Sequence, residues 1–199
     1  MDAQTELKQT KKILVTATVI MSVIALFLLG YIIRMEKRSA KDRHKTELID
    51  GRTGVDLALS VIWATQDIGA DSPTDEGDTF TWDEAMQLET EGGWRLPTDE
   101  EAAELAYSCR WDYDEKGDPK KIIAIGRNDR ELYFQDMTIS YYWTSSLSAT
   151  DSTSARLMAV SPLLVKVFPA RPARSESAKD NSLAKHVRLV HDRIKNSDK

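Results

Sequence analysis

The sequence predicts an α+β domain that follows a single apolar helix long enough to cross a membrane. Three observations predict this class. Residues 13–33 form a run of 21 consecutive residues without a charge. Capping-box patterns at Thr81 and Thr98 mark the starts of two helices, because each threonine is followed three residues later by glutamate. After Trp111, apolar residues tend to recur at every second position, which is typical of mainly antiparallel strands.

The amino-terminal region predicts an uncleaved signal anchor. At about 1.5 Å per residue, a helix over residues 13–33 just crosses the hydrocarbon core of a bilayer. The run lacks the short apolar stretch and the small-residue exit of a cleaved signal peptide. We therefore divide the chain into a short tail (1–12), a transmembrane helix (13–33), a basic juxtamembrane linker (34–48), a domain (49–192) and a polar tail (193–199).

The flanks of the apolar run leave its orientation open. Three lysines precede the run and six Lys/Arg residues follow it within residues 34–45, which favours a cytoplasmic domain by the positive-inside rule. Large domains also translocate despite flanking charge, so an extracytoplasmic domain stays an alternative. Thr18, Ser22 and Ala25 share one helical stripe that would let a partner helix, including a second copy, approach closely. The alternative is that Thr18 and Ser22 only hydrogen-bond to their own backbone.

Charge and cysteine usage exclude several classes of function. Residues 49–170 contain ten Lys/Arg against 23 Asp/Glu. An acidic domain repels the phosphate backbone, so we expect no nucleic-acid partner. Cys109 is the only cysteine, which excludes an internal disulfide and a multi-cysteine metal site. Its setting at the apolar end of a predicted helix favours a buried structural thiol.

The first half of the domain predicts two strands, an acidic loop and two helices. Residues 55–59 and 61–64 are short β-type runs, and residues 67–78 form a turn-rich acidic loop. We expect the helix that begins after Thr81 to stop at Gly92-Gly93, and the second helix to begin after Thr98. Between the helices, Trp94 and Leu96 alternate with Arg95, so both apolar side chains can enter a core.

The second half predicts strands throughout. Residues 121–125 and 131–134 flank residues 126–130 as a hairpin. Further strand candidates and one mobile loop follow. The strands are residues 141–145, 155–160, 163–168 and 186–190, and the loop is residues 169–182.

The chain shows no recognisable catalytic pattern. His44, His186 and His191 have no zinc-site spacing, and nucleotide-binding glycine motifs are absent. The start of a calcium loop at residues 112–118 is broken by Lys116. We therefore expect a protein that is not an enzyme and needs no cofactor or metal. The adjacent Tyr141 and Tyr142 are candidate contacts for a glycan or peptide, since both cannot face one core side.

Six short motifs follow one another along the chain, at residues 55–70, 77–82, 94–98, 109–111, 142–146 and 187–190. In this order they resemble the motifs of the Fibrobacter succinogenes major paralogous domain family, a bacterial cell-envelope family related to the C-type lectin-like fold. The resemblance implies a C-type lectin-like domain with two helices, on the extracytoplasmic side. It implies a set of fold-signature residues, of which Arg95 is either buried or exposed: Trp63, Trp94, Arg95, Leu96, Pro97, Thr98, Trp111 and Trp143. Gln66 departs from the pattern, because the family commonly has cysteine there.

The resemblance implies more about the fold and the location of the protein than about its activity. Residues Arg127, Asn128 and Asp129 partly match the Trp-Asn-Asp ligand motif of sugar-binding C-type lectins, so they join the candidate ligand contacts. Related formylglycine-generating enzymes need a cysteine pair, which the single Cys109 does not supply. The expected function is a membrane-anchored, non-catalytic binding module of the cell envelope. The alternatives are an accessory subunit of a membrane complex, held through its helix, and an enzyme of unrecognised type.

Overall fold

The computed structural model describes residues 3–88, 91–169 and 184–193. The chain divides into two compact units, residues 1–42 and 43–199. The first unit is almost wholly helix α1, Ala3–Arg43, of which Leu14–Arg43 is long and apolar enough to cross a membrane. The helix is thus longer than the apolar run. The predicted tail over residues 1–12 is helical from Ala3, and the predicted linker over residues 34–48 is helical to Arg43.

Two short helices in the second unit begin at the predicted residues. Helix α2 is Trp82–Met86 and helix α3 is Asp99–Ser108. Both capping boxes are confirmed, because each threonine hydroxyl accepts the third amide of its helix and the glutamate at that position accepts the threonine amide. The predicted end of the first helix is wrong. Helix α2 stops at Met86, and Gly92 and Gly93 instead form a turn with positive φ angles.

Thirteen strands are present among the described residues, and most are short. In chain order they are β1 (Glu47–Ile49), β2 (Arg52–Val55), β3 (Val61–Ala64), β4 (Thr79–Phe80), β5 (Trp94–Arg95), β6 (Arg110–Asp114), β7 (Lys121–Ile125), β8 (Glu131–Gln135), β9 (Ser140–Ser148), β10 (Asp151–Val160), β11 (Val165–Pro169), β12 (Lys185–His186) and β13 (Val190–Asp192). The domain therefore belongs to the α+β class.

These strands form three sheets. The first has the order β1-β2-β3-β13-β5, the second β11-β10-β9-β12-β4 and the third β6-β7-β8. All neighbours are antiparallel except β12 and β9, which are parallel at His186 and Tyr142. The predicted hairpin over residues 121–134 is confirmed as β7 and β8, with Ile123 opposite Tyr133.

Two of the predicted strands do not form as single strands. Residues 56–60 form a turn and not a strand, because the Asp56 carboxylate accepts the amide of Ala58, whose φ is positive. Leu57 and Leu59 are nevertheless buried, which reproduces the alternation of a strand. Residues 186–190 do not form one strand: β12 lies in the second sheet and β13 in the first. Their intervening residues carry the chain from one sheet to the other.

The core lies in two clusters of buried side chains. One cluster lies beneath α3, which packs on β9, β10 and β11, and it includes Trp63. The other contains Trp94, Leu96 and Trp143. The prediction that Trp94 and Leu96 enter the core is confirmed, while Arg95 between them is half-buried.

Part of the predicted tail and loop lies outside the described residues. Pro169 ends β11, and residues 170–183, which hold nearly all of the predicted mobile loop, are not described. Residues 194–199 of the polar tail also lie outside. The domain itself begins earlier than expected, because His44 already bonds to it: its Nδ1 lies 2.5 Å from the Tyr133 hydroxyl.

Candidate binding surface

Three buried polar side chains form a cluster that we call the buried arginine centre: Asp67, Tyr142 and Arg188. The Arg188 side chain is 1 % exposed and donates from Nε to Asp67 Oδ1 and from Nη1 to the Tyr133 carbonyl at 3.0 Å. The Tyr142 hydroxyl donates to the other Asp67 oxygen at 3.2 Å. Burial lowers the pKa of Arg188, but the Asp67 charge and the interactions with Tyr142 together more than offset it, so the pKa lies above its ordinary value.

This centre removes Tyr142 from the candidate ligand contacts. Its side chain is 2 % exposed, and its ring packs edge-on against Phe134 with centroids 5.5 Å apart. Burial, and then the nearby Asp67 charge, raise the pKa of Tyr142 far above its ordinary value, so its hydroxyl stays protonated. The prediction of a ligand contact at Tyr142 is therefore wrong, because both faces of β9 are covered at this point and Tyr142 packs into the core cluster beneath α3.

Tyr141 and the 127–129 turn also serve the fold. Tyr141 is half-buried and packs edge-on against Phe168 at 6.2 Å. Asn128 donates to the Asp56 carbonyl at 2.7 Å, and Arg127 donates to the Ser108 hydroxyl at 3.2 Å. Asp129 has a positive φ inside the hairpin turn. Arg127 and Asn128 thus fasten the hairpin to the end of α3 and to the turn at Asp56.

Arg95 anchors a second group, the surface arginine centre: Arg95, Glu101 and Asp192. Two guanidinium nitrogens of Arg95 donate to the two Glu101 oxygens at 2.8 and 2.7 Å, and Nη2 also meets Asp192 at 2.5 Å. Hydrogen bonding to Glu101 raises the pKa of Arg95, although partial burial opposes it. Glu101 also accepts the Thr98 amide. Arg95 therefore joins the start of α3 to β13.

The reactive side chains singled out in the sequence are dispersed. Cys109 is buried at the end of α3, and burial raises the pKa of its thiol to about 11. His186 lies beside Gln135 in the core, whereas His191 lies 3.5 Å from Asp50. Among the described residues, no group of three or more His, Cys, Asp or Glu side chains could hold a metal ion.

The stripe on α1 is satisfied within the helix. The Thr18 hydroxyl donates to the Leu14 carbonyl and the Ser22 hydroxyl to the Thr18 carbonyl, each at 2.9 Å. Ala25 lies one turn beyond Ser22. The described hydroxyls therefore already have acceptors, and contact with a partner helix would rest on close packing of small side chains.

An open groove of about 250 Å³ lies elsewhere on the domain, between β6 and the turn that joins β10 to β11. Trp111 and Tyr113 form one wall, and Leu163 and Leu164 belong to the other. Leu163 is 98 % exposed. The complete lining is Ala106, Trp111, Asp112, Tyr113, Ile122, Ser161, Pro162, Leu163, Leu164 and Val165.

The walls of the groove are held in place by their own hydrogen bonds. The Ser161 amide donates to the Leu164 carbonyl at 2.9 Å and the Leu164 amide donates to the Ser161 hydroxyl at 3.0 Å, so the turn is closed. Trp111 Nε1 donates to the Ala106 carbonyl at 3.0 Å, and the Tyr113 hydroxyl donates to Asp136 at 3.1 Å. The aromatic rings are thus oriented before any ligand binds.

The sequence reasoning missed the leucine turn. Residues 163–168 were predicted as one strand, but β11 starts only at Val165, which leaves Leu163 and Leu164 in the turn. Pro162 was the available signal, because proline before two leucines indicates a turn more strongly than a strand. Of the expected fold-signature residues, only Trp111 lines this groove.

Fold and surface together define an α+β domain that follows an apolar helix long enough to cross a membrane. Comparison of the chain with protein-family models, with curated proteins and with solved structures finds no match in any of the three.

Proposed function

We propose that this chain is a membrane-anchored, non-catalytic binding module of the bacterial cell envelope, with a C-type lectin-like domain of the Fibrobacter succinogenes major paralogous type. The expected signature residues support the fold assignment. Trp63, Trp94, Leu96 and Trp143 are buried, and Thr98 caps a helix. A motif that builds the core in this way agrees with a role in folding and not in chemistry.

The observation that carries the binding function is the groove at Trp111, Tyr113, Leu163 and Leu164. Exposed leucines beside oriented aromatic rings form the kind of surface that binding sites use, since burying them on a ligand releases water from apolar area. The buried ion pair of Asp67 with Arg188 does not line this groove. The groove is therefore suited to holding a glycan or peptide rather than transforming it.

A topology reporter fused after Lys199 tests the location. Reporter activity on the extracytoplasmic side is the expected result, and activity in the cytoplasm alone would overturn this part of the proposal. The same fusion with residues 13–33 replaced by a cleavable signal peptide should release the domain from the membrane fraction.

Ligand arrays probed with the full chain in lipid nanodiscs test the binding function. Leu163→Ser should weaken binding of any captured glycan or peptide at least tenfold. Leu48→Ser is the matched control, because Leu48 is also highly exposed, at 77 %, but belongs to β1 and not to the groove. Equal loss in both variants, or turnover of a captured molecule, would contradict the proposal.

A further inference from the structure

The groove lies against the free edge of a strand. Among the described residues, β6 pairs only with β7, so its other edge has no strand partner. The amide of Tyr113 donates to the Asp112 carboxylate at 2.8 Å, from which we infer that this amide points to the free edge. In an antiparallel strand the carbonyl of a residue points to the same side as its amide. The backbone of Trp111 and Tyr113 is thus presented to the edge.

The second strand that reaches the groove is less suited to pairing. Strand β11 begins at Val165, is also at the edge of its sheet, and carries Lys166 and Pro169. Lysine and proline are residues that proteins place on edges to prevent pairing, and Pro169 has no amide to donate. On β6, the Asp112 carboxylate accepts the amide of Tyr113, and a rotation of that side chain releases this amide.

The charge of the groove and of the surrounding domain indicates which kind of ligand the groove would bind. Asp112 is the one charged side chain of the groove lining, and residues 49–170 are strongly acidic. Along β6, the exposed Arg110 and Asp112 alternate with the half-buried Trp111 and Tyr113. A paired strand would therefore place every second side chain over the apolar groove and the others beside Arg110, Asp112 and Asp114, where acidic side chains outnumber the basic one. The matching sequence alternates apolar with basic residues.

We propose that the groove binds an extended peptide segment of a partner protein, with alternating apolar and basic side chains, as an added strand on β6. This proposal rests on the proposed binding function and specifies its ligand. The apolar side chains cover Trp111, Tyr113 and the leucine turn. A lysine of the peptide draws the Asp112 carboxylate away from the Tyr113 amide, which then donates to the peptide backbone.

Defined peptides test the proposal with the full chain in nanodiscs. The probe is an acetylated, amidated peptide that alternates valine with lysine over eight residues, and its counterpart replaces every lysine with glutamate. The lysine peptide should bind and should slow amide hydrogen exchange in residues 110–114. A third peptide carries N-methyl groups on alternate amides, in both registers. Each register keeps the side chains but loses the donors of one edge of the peptide. Since β6 pairs with only one edge, at least tenfold weaker binding is expected for one of the two registers.

Charge reversal separates this mode from non-specific attraction to an acidic domain. Asp112→Lys should lower the affinity for the lysine peptide at least tenfold and should make binding of the glutamate peptide measurable. Asp71→Lys makes the same charge change at an exposed loop outside the groove and should leave both affinities within twofold. Equal effects of the two substitutions, or unchanged binding of the N-methylated peptides, would overturn strand addition.

The outcomes also separate the ligand class from the function. If glycans bind in a Leu163-dependent way and the lysine peptide does not, the peptide inference is wrong and the binding function stands. If neither peptides nor glycans bind in a way that depends on Leu163, both are wrong. Melting temperatures of all variants, measured without ligand, should agree with the unchanged chain and exclude unfolding as the cause.

Discussion

Arg188 and Arg95 each bind a carboxylate from a distant part of the domain, yet their surroundings are opposite. The Arg188 side chain is 1 % exposed, with the rings of Phe134 and Tyr142 at 4.7 and 5.9 Å, whereas the Arg95 side chain is 37 % exposed at the surface. Water screens the surface pair and lets either partner be solvated when the other is lost. Inside the core, a lone charge has no such alternative.

The difference teaches that similar hydrogen bonds have unequal consequences. Arg188 also donates to backbone carbonyls, including that of Tyr133, so it joins β8 to the segment that follows β3. Arg95 joins α3 to β13 through Glu101 and Asp192. The first connection organises the interior. The second connection holds two elements together at the surface. We expect its contribution to the free energy of unfolding to be smaller and to depend on salt concentration.

The largest expected effect is that of Arg188→Met, which leaves Asp67 buried without its cation. The free energy of unfolding should fall by about 3–5 kcal/mol, as for other buried pairs broken on one side. Urea unfolding followed by circular dichroism measures it. The double variant Asp67→Leu with Arg188→Met should recover a large part of the loss, because no isolated charge remains. A loss below about 1 kcal/mol in the single variant would show that water reaches the centre.

Tyr142→Phe should have the next largest effect, a loss of about 1–2 kcal/mol at pH 8, because Asp67 loses a hydrogen-bond donor. The deficit should shrink as the pH rises. Burial raises the pKa of Tyr142, so the folded chain holds this proton more tightly than the unfolded chain does. The associated stability is complete below pH of about 10, the ordinary tyrosine value, and is lost above it. Phenylalanine has no such loss.

Unfolding by urea at pH 8, 9.5 and 11 measures how far the stability difference between Tyr142→Phe and the unchanged chain shrinks. Tyr141→Phe is the matched control, because Tyr141 is the half-buried neighbour outside the buried arginine centre. Its difference from the unchanged chain should stay constant across the same range. A Tyr142→Phe deficit that grows with pH would contradict the stated direction of the pKa change.

Arg95→Gln should cost about 1 kcal/mol, since the pair with Glu101 is bidentate but partly screened by solvent. The loss should diminish in 1 M NaCl, because salt screens exposed charges. Arg95→Lys keeps the charge but not the two parallel hydrogen bonds of the guanidinium group. Its stability should lie between that of the unchanged chain and that of Arg95→Gln. Melting temperatures at low and high salt measure all three. An equal loss at both salt concentrations would assign the contribution of Arg95 to packing instead of charge.

Local patterns in the sequence predicted local structure well. The capping boxes at Thr81 and Thr98 and the hairpin over residues 121–134 depend on residues only a few positions apart, and all three are confirmed. The alternation of Trp94, Arg95 and Leu96 likewise set their directions correctly. Such features follow from hydrogen bonding and side-chain spacing within one segment.

Long-range pairing could not be read in the same way. Arg188 was predicted on a strand and Asp67 in a solvated loop, and nothing near either residue indicates a partner 121 positions away. The strand predicted over residues 186–190 divides between two sheets because its partners, β9 and β3, are distant in the chain. The groove was missed for the same reason, since its walls come from residues 111–113 and 161–165.

The smallest expected effect is that of Asp192→Asn, which tests the outer partner of Arg95. The Asp192 side chain is 74 % exposed, and Arg95 keeps both bonds to Glu101 when Asp192 loses its charge. The change in unfolding free energy should stay within about 0.5 kcal/mol. Glu101→Gln, by contrast, removes the charged partner of the fork and weakens the capping box, so its loss should be larger. If Asp192→Asn lowers the unfolding free energy as much as Glu101→Gln does, then the connection between α3 and β13 depends on the exposed carboxylate. The surface arginine centre would then resemble the buried one in its dependence on every partner.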